Sequence, residues 1–160
     1  RYAGAIRNLI QRFKYNGIES LSIPLGDILI EGIKCCDILN EIDIVVPVPL
    51  FWRKRVKRGF NQSALFAKRL AKHYSMPLSI GNLYRVRNTA TQTQLSRTER
   101  LDNVEDAFAV KKPEKFAGRT ILLVDDVMTT GITASECAYE LKESGAKKVF
   151  VIILARVDMI

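Results

Sequence analysis

Two hydrophobic patterns alternate along the chain. From Arg1 to Tyr15 the apolar residues Tyr2, Ile6, Leu9, Ile10 and Phe13 recur at helical spacing, and Gly17 can end the helix. A second helix is predicted over Leu25 to Leu39. The run "IDIVVPV", Ile42 to Val48, then reads as a strand ended by Pro47 and Pro49. Asn61 suits the N-cap of a helix whose inner face includes Phe66, Leu70 and Tyr74, with Pro77 beyond its end.

Between Asn82 and Lys112 no period holds, and "RNTATQTQLSRTERLDN" within that stretch reads as a long mobile loop. Strong patterns then return. "TILLV" reads as a buried strand, "TASECAYELKES" as a helix and "KVFVIILA" as another buried strand. Ala134, Cys137, Ala138 and Leu141 share one face of that helix. Thr133 and Glu136 match a capping box at its start, and Gly145 stops it. Buried strands alternating with amphipathic helices predict an α/β fold: one domain over residues 1–160, with a mostly parallel, twisted sheet flanked by helices. Ligands of such sheets bind beyond the carboxyl ends of the strands.

Composition changes little of this. A chain of 160 residues, 48% hydrophobic and 26% charged, fits one soluble core. Its apolar runs are too short to span a bilayer and no basic-then-apolar leader opens it, so a cytoplasmic location is expected. Cys35, Cys36 and Cys137 have no CxxC spacing and read as reduced, small buried side chains. His73 is the only histidine, which argues against zinc, and a surface or capping role at a helix end fits it.

Charge adds more. Residues 53–100 hold 12 of the 25 Lys and Arg and a single acid, Glu99. That segment points to a polyanionic ligand or to a solvated basic face.

The chemistry gathers in "VDDVMTTGIT". A strand, a tight turn and a helix N-terminus make an anion site, because backbone N–H groups converge there and the helix dipole favours negative charge. Gly131 allows close approach, while Thr129, Thr130 and Thr133 offer hydroxyls. Neither GxxxxGK nor GxGxxG is present. Asp125 and Asp126 repel phosphate but accept hydrogen bonds from vicinal hydroxyls, so the pair with the turn suits a ribose 5-phosphate. A haloacid-dehalogenase-type site wants an aspartate where Val127 stands. The plainer alternative is one aspartate capping the turn.

The stretch "ILLVDDVMTTGITASECAYELKESGAKKV" resembles the phosphoribosyl-pyrophosphate motif of type I phosphoribosyltransferases. "VVPVPLFWRKRVKRGFNQSALFAKRLA" and "RNTATQTQLSRTERLDNVEDAFAV" resemble the ComF/GntX-like branch, which is associated with competence and DNA uptake. The resemblance covers nearly the whole chain, without the amino-terminal zinc ribbon that many members carry. It implies that Asp125 and Asp126 hold the ribose hydroxyls at the catalytic centre. It implies a 5-phosphate loop from Val127 through Met128, Thr129, Thr130 and Gly131 to Thr133. Arg58 would contact pyrophosphate with Arg53 and Arg55 behind it. The loop with Thr91, Gln94, Arg97 and Arg100 would form a mobile hood.

The resemblance further implies Mg²⁺ as cofactor, held mainly by the substrate with no direct protein ligand. Two functions stand side by side: a phosphoribosyltransferase acting on an unknown acceptor, and a non-catalytic phosphoribosyl-pyrophosphate-binding module. For the module, single-stranded DNA or a DNA-uptake helicase would be the partner. The basic segment interleaved with Phe51, Trp52 and Phe60 supports DNA as readily as pyrophosphate.

Overall fold

The computed structural model describes residues 4–15, 17–86 and 107–157. Its centre is a parallel sheet ordered β1–β4–β5, in which β1 is Ile44–Pro47, β4 is Thr120–Met128 and β5 is Lys148–Arg156. Short strands β2 (Leu83–Arg85) and β3 (Phe108–Val110) pair antiparallel as a separate ribbon. The helices are α1 (Gly4–Tyr15), α2 (Ser22–Lys34), α3 (Trp52–Arg58), α4 (Gln62–His73) and α5 (Ile132–Glu143).

Side-chain alternation on the strands builds two cores. Val45, Leu122 and Val124 face α1, α2 and α4 through Phe13, Leu29, Phe66 and Leu70. Ile44, Val46, Ile121 and Leu123 face α5 and the ribbon through Cys137, Leu141 and Phe108, with Phe116 from the turn before β4. The parallel, two-sided sheet is therefore the predicted architecture. Register is pinned at the amino end, where Asp43 Oδ2 accepts the Thr120 amide at 2.7 Å and the Asp43 amide donates to Thr120 O at 2.9 Å. No helix among the described residues is long and apolar enough to cross a membrane.

Several boundaries move. The first strand is Ile44–Pro47 rather than Ile42–Val48, because Leu39–Glu41 closes into a 3₁₀ turn just before it. The second helix starts at Ser22 and ends at Lys34, short of the expected Leu39. Cys36 N–H bonds to Ile33 O in the turn that follows, so Cys35 and Cys36 are exposed rather than buried, and only Cys137 sits in the core. The unpatterned stretch hides β2 and β3, whose short length leaves too few positions for a period to register. Asn61 caps α4 as expected, its side chain accepting the Ser63 amide at 3.2 Å, and His73 is exposed at the far end.

The cap of α5 lies two residues before the expected one. Gly131, at φ +83°, is the N-cap of α5, and Thr133 lies inside the first turn. β5 is also not fully buried: it is the sheet edge, and Val151 is 39% exposed.

Strand order makes a stability difference. Leu123→Ala, at a fully buried position of β4, should cost about 2–5 kcal/mol through lost transfer energy and a cavity. Val151→Ala on the edge should cost less than about 1 kcal/mol. Urea denaturation of both variants checks the order, which equal losses would contradict.

Candidate functional site

β4 does not stop before its carboxylates. It runs on through Asp125 and Asp126 to Met128, with Asp125 opposite Ile153 and Met128 opposite Arg156. Alternation turns the two side chains to different sides of the sheet. Asp125 belongs to the α5 side, among the influences on Cys137 and Arg85, and Asp126 to the α1 side. Both nevertheless border one small cavity of about 140 Å³ at the carboxyl end of β1 and β4.

Each carboxylate is held by identifiable donors. Asp125 Oδ1 accepts the Ser63 hydroxyl at 3.0 Å and the Asp126 amide at 2.8 Å. Asp126 Oδ1 accepts the Val127 amide at 2.6 Å, and Oδ2 pairs with Lys14 Nζ at 2.7 Å. Lys14 reaches in from the last turn of α1. Burial, followed by the neighbouring Asp126 charge, pushes the Asp125 carboxyl up to about 7 against the pull of its hydrogen bonds. Burial likewise lowers the Arg85 guanidinium and raises the Cys137 thiol, which stays neutral beside the site.

The cavity lies between the first turns of two helices, α4 through Asn61, Gln62 and Ser63, and α5 through Thr133. Both turns present the N-terminal end of a helix, where the dipole and unshared N–H groups favour an anion. Arg58, Arg85 and Lys14 add positive charge. An acceptor-rich patch thus adjoins a donor-rich one.

The structure gathers some predicted residues and separates others. Asp125, Asp126, Arg58 and Thr133 line the same cavity. Met128 to Gly131 form the adjoining turn. Met128 O accepts the Val157 amide, and Thr130 Oγ1 is buried with no hydrogen-bond partner. Arg53 and Arg55 stand away from the cavity. Helix α3 spreads the basic run around its circumference, so Arg53 lies over the Trp52 ring at 5.3 Å, while Arg55 borders a neighbouring cleft of about 600 Å³. Trp52 and Tyr84 border that cleft, which shares Pro49, Leu50, Asn61 and Arg85 with the smaller cavity. The hood residues Thr91, Gln94, Arg97 and Arg100 lie outside the described residues.

Sequence reasoning missed Lys14, Gln62, Ser63 and Arg85. Ser63 and Gln62 follow the Asn61 cap, and a helix starting beside the sheet's carboxyl end was signal enough to find them. Lys14 carried no such signal, because its reach depends on how α1 packs.

As a donor set, the two carboxylates are already engaged by Ser63, Lys14 and backbone amides, so Mg²⁺, a hard cation that keeps waters, would take most of its oxygens from a bound ligand rather than from them. Among the described residues no group of three or more His, Cys, Asp or Glu forms a complete protein cage.

Residues 60–158 match the family model described as phosphoribosyl transferase domain. Competence protein F of Haemophilus influenzae is 33% identical over 160 residues, which cover 97% of this chain and 69% of that protein. DNA utilization protein YhgH of Escherichia coli K12 is 34% identical over 158 residues, covering 97% and 69%. A solved adenine phosphoribosyltransferase has the same fold at TM-score 0.57 and 17% identity, over 88% of this chain and 72% of the other.

The raised Asp125 predicts a pH signature. Its folded pKa of about 7 lies above its ordinary 3.8, so its contribution to stability is full below pH 4 and is lost as pH rises through 7. Asp125→Asn never ionises. It should melt several degrees above the parent at pH 8, with the gap closing toward pH 5. A gap independent of pH would contradict a strained carboxylate.

Proposed function

Because the chain belongs to the phosphoribosyl transferase domain family, in the branch of competence protein F, we propose that its cavity binds phosphoribosyl pyrophosphate with Mg²⁺ and that the protein transfers the phosphoribosyl group to an acceptor. The observation that carries this is one cavity bordered by Asp125, Asp126, Lys14, Arg58 and the first turns of α4 and α5. Asp125 and Asp126 accept the ribose 2′ and 3′ hydroxyls, with Lys14 shifting from Asp126 toward phosphate. The turn from Val127 to Gly131, together with Thr133, holds the 5-phosphate, and the partnerless Thr130 hydroxyl supports that role. Arg58 contacts the pyrophosphate. Arg53 and Arg55 supply field from further out.

Acceptor attack at the anomeric carbon breaks its bond to pyrophosphate, which leaves with the electron pair. The carboxylates stabilise the cationic character that develops on the ribose, and Arg58 and Lys14 offset the leaving charge. When bound, Mg²⁺ supplies further neutralisation of the diphosphate. The larger cleft opens onto this centre and offers the acceptor its way in.

Thermal melts test the ligand. Phosphoribosyl pyrophosphate with Mg²⁺ should raise the melting temperature, since a ligand at a hundredfold excess over its dissociation constant stabilises by about 2.7 kcal/mol. Asp126→Asn should diminish that rise while leaving the fold intact. An absent rise at millimolar ligand removes the reading.

A second reading is favoured by Trp52, which is 60% exposed, carries Arg53 over its ring and borders the larger cleft together with Arg55. Lys68, Tyr84 and Lys111 continue it along the larger cleft. Cations around an exposed ring suit single-stranded DNA, and the name of the YhgH relative accords with it. Arg53→Glu with Arg55→Glu should weaken such binding severalfold, and affinity should fall steeply with salt. Filter binding of a labelled oligonucleotide decides this, and salt-insensitive binding would count against it.

A further inference from the structure

Gln62 is only 2% exposed, yet it borders the cavity in the first turn of α4. Its neighbours are committed within the fold. Asn61 donates to Val48 O at 3.0 Å and accepts the Ser63 amide, and the Ser63 hydroxyl donates to Asp125. Gln62 is only half committed. Its Oε1 accepts from Arg58 Nη1 at 3.4 Å, while its Nε2 is buried without a hydrogen-bond partner. The orientation of the amide is settled chemically. A guanidinium can only donate, so the carbonyl must face Arg58 and the NH₂ is left over.

Most buried donors in folded proteins are paired, and one left over on a residue that lines a cavity calls for an acceptor from outside the chain. The acceptors that the ligand proposed above can offer are its ribose hydroxyls and its phosphate oxygens. The hydroxyls have Asp125 and Asp126 to serve. Gln62 stands instead beside Arg58, on the α4 wall.

We propose that the Gln62 Nε2 amide donates to a diphosphate oxygen of the bound phosphoribosyl pyrophosphate, next to the one that Arg58 contacts. Gln62 is thereby a neutral specificity residue, which recognises the diphosphate without adding charge. It distinguishes the activated ribose from ribose 5-phosphate, which lacks that group. It also orients Arg58, because its carbonyl fixes one edge of the guanidinium. The inference rests on the ligand reading above.

Calorimetric titration of the parent and of Gln62→Met, each with phosphoribosyl pyrophosphate, pyrophosphate and ribose 5-phosphate in Mg²⁺, separates the possibilities. Methionine keeps the length and removes both polar atoms. The Met variant should lose about tenfold in affinity for the two diphosphate ligands and none for ribose 5-phosphate. It should melt no lower than the parent, since an unpaired buried amide has gone. Gln62→Glu, which sets a carboxylate against the diphosphate, should lose more. A Met variant that binds the diphosphate ligands normally, or weakens toward ribose 5-phosphate equally, overturns the role of Gln62 alone. A parent that binds none of the three overturns the ligand reading, and this inference with it.

Discussion

Two adjacent carboxylates at the end of a buried central strand are the constraint around which this fold is organised. Removing charge from water is costly unless donors or counter-charges replace the solvent. Here the replacements come from far apart in sequence: Ser63 from α4, the backbone amides of Asp126 and Val127, and Lys14 from α1. The first turn of α4 must therefore lie beside the end of β4, and the Asn61 cap fixes where that turn begins. Asp43, at the other end of the sheet, keeps β1 and β4 in the register that this placement needs. Even so, compensation is incomplete, as the elevated Asp125 carboxyl records.

The Lys14 contact gives α1 a position unlike that of the other helices. Its last turn supplies Lys14 to Asp126 and Tyr15, whose ring lies 5.5 Å from the Arg58 guanidinium. Ile10 and Phe13 anchor the same helix in the core beneath. Packing of α1 and completion of the cavity are thus one structural event, and strain in either is felt by the other.

How far the sequence foretold this depended on the kind of interaction involved. β1, the first half of β4, α4 and α5 show in the periodicity because burial imposes it. The strand's continuation through Asp125 to Met128 does not show, since backbone pairing with β5 sets it and side-chain polarity opposes it. α5 is capped by the left-handed backbone of Gly131, which prevails over the Thr133–Glu136 pattern. The aspartates and the threonine–glycine turn were readable because their chemistry is local. Lys14 and Gln62 were not, because what matters in each is a partner, present or missing, that only the folded chain defines. The basic run from Arg53 to Arg58 reads as one feature in sequence, and the helix sends Arg58 to the smaller cavity and Arg55 to the larger.

Trp52 carries a consequence of a different kind. It is the only tryptophan in the chain, it is 60% exposed, and it stands at the rim of the larger cleft with the Arg53 guanidinium over its ring. Indole emission shifts with local polarity and is quenched by neighbouring charge and stacking. All tryptophan fluorescence from this protein therefore originates at a single point on the approach to the aspartates. The molecule carries its own optical probe at the mouth of its larger cleft.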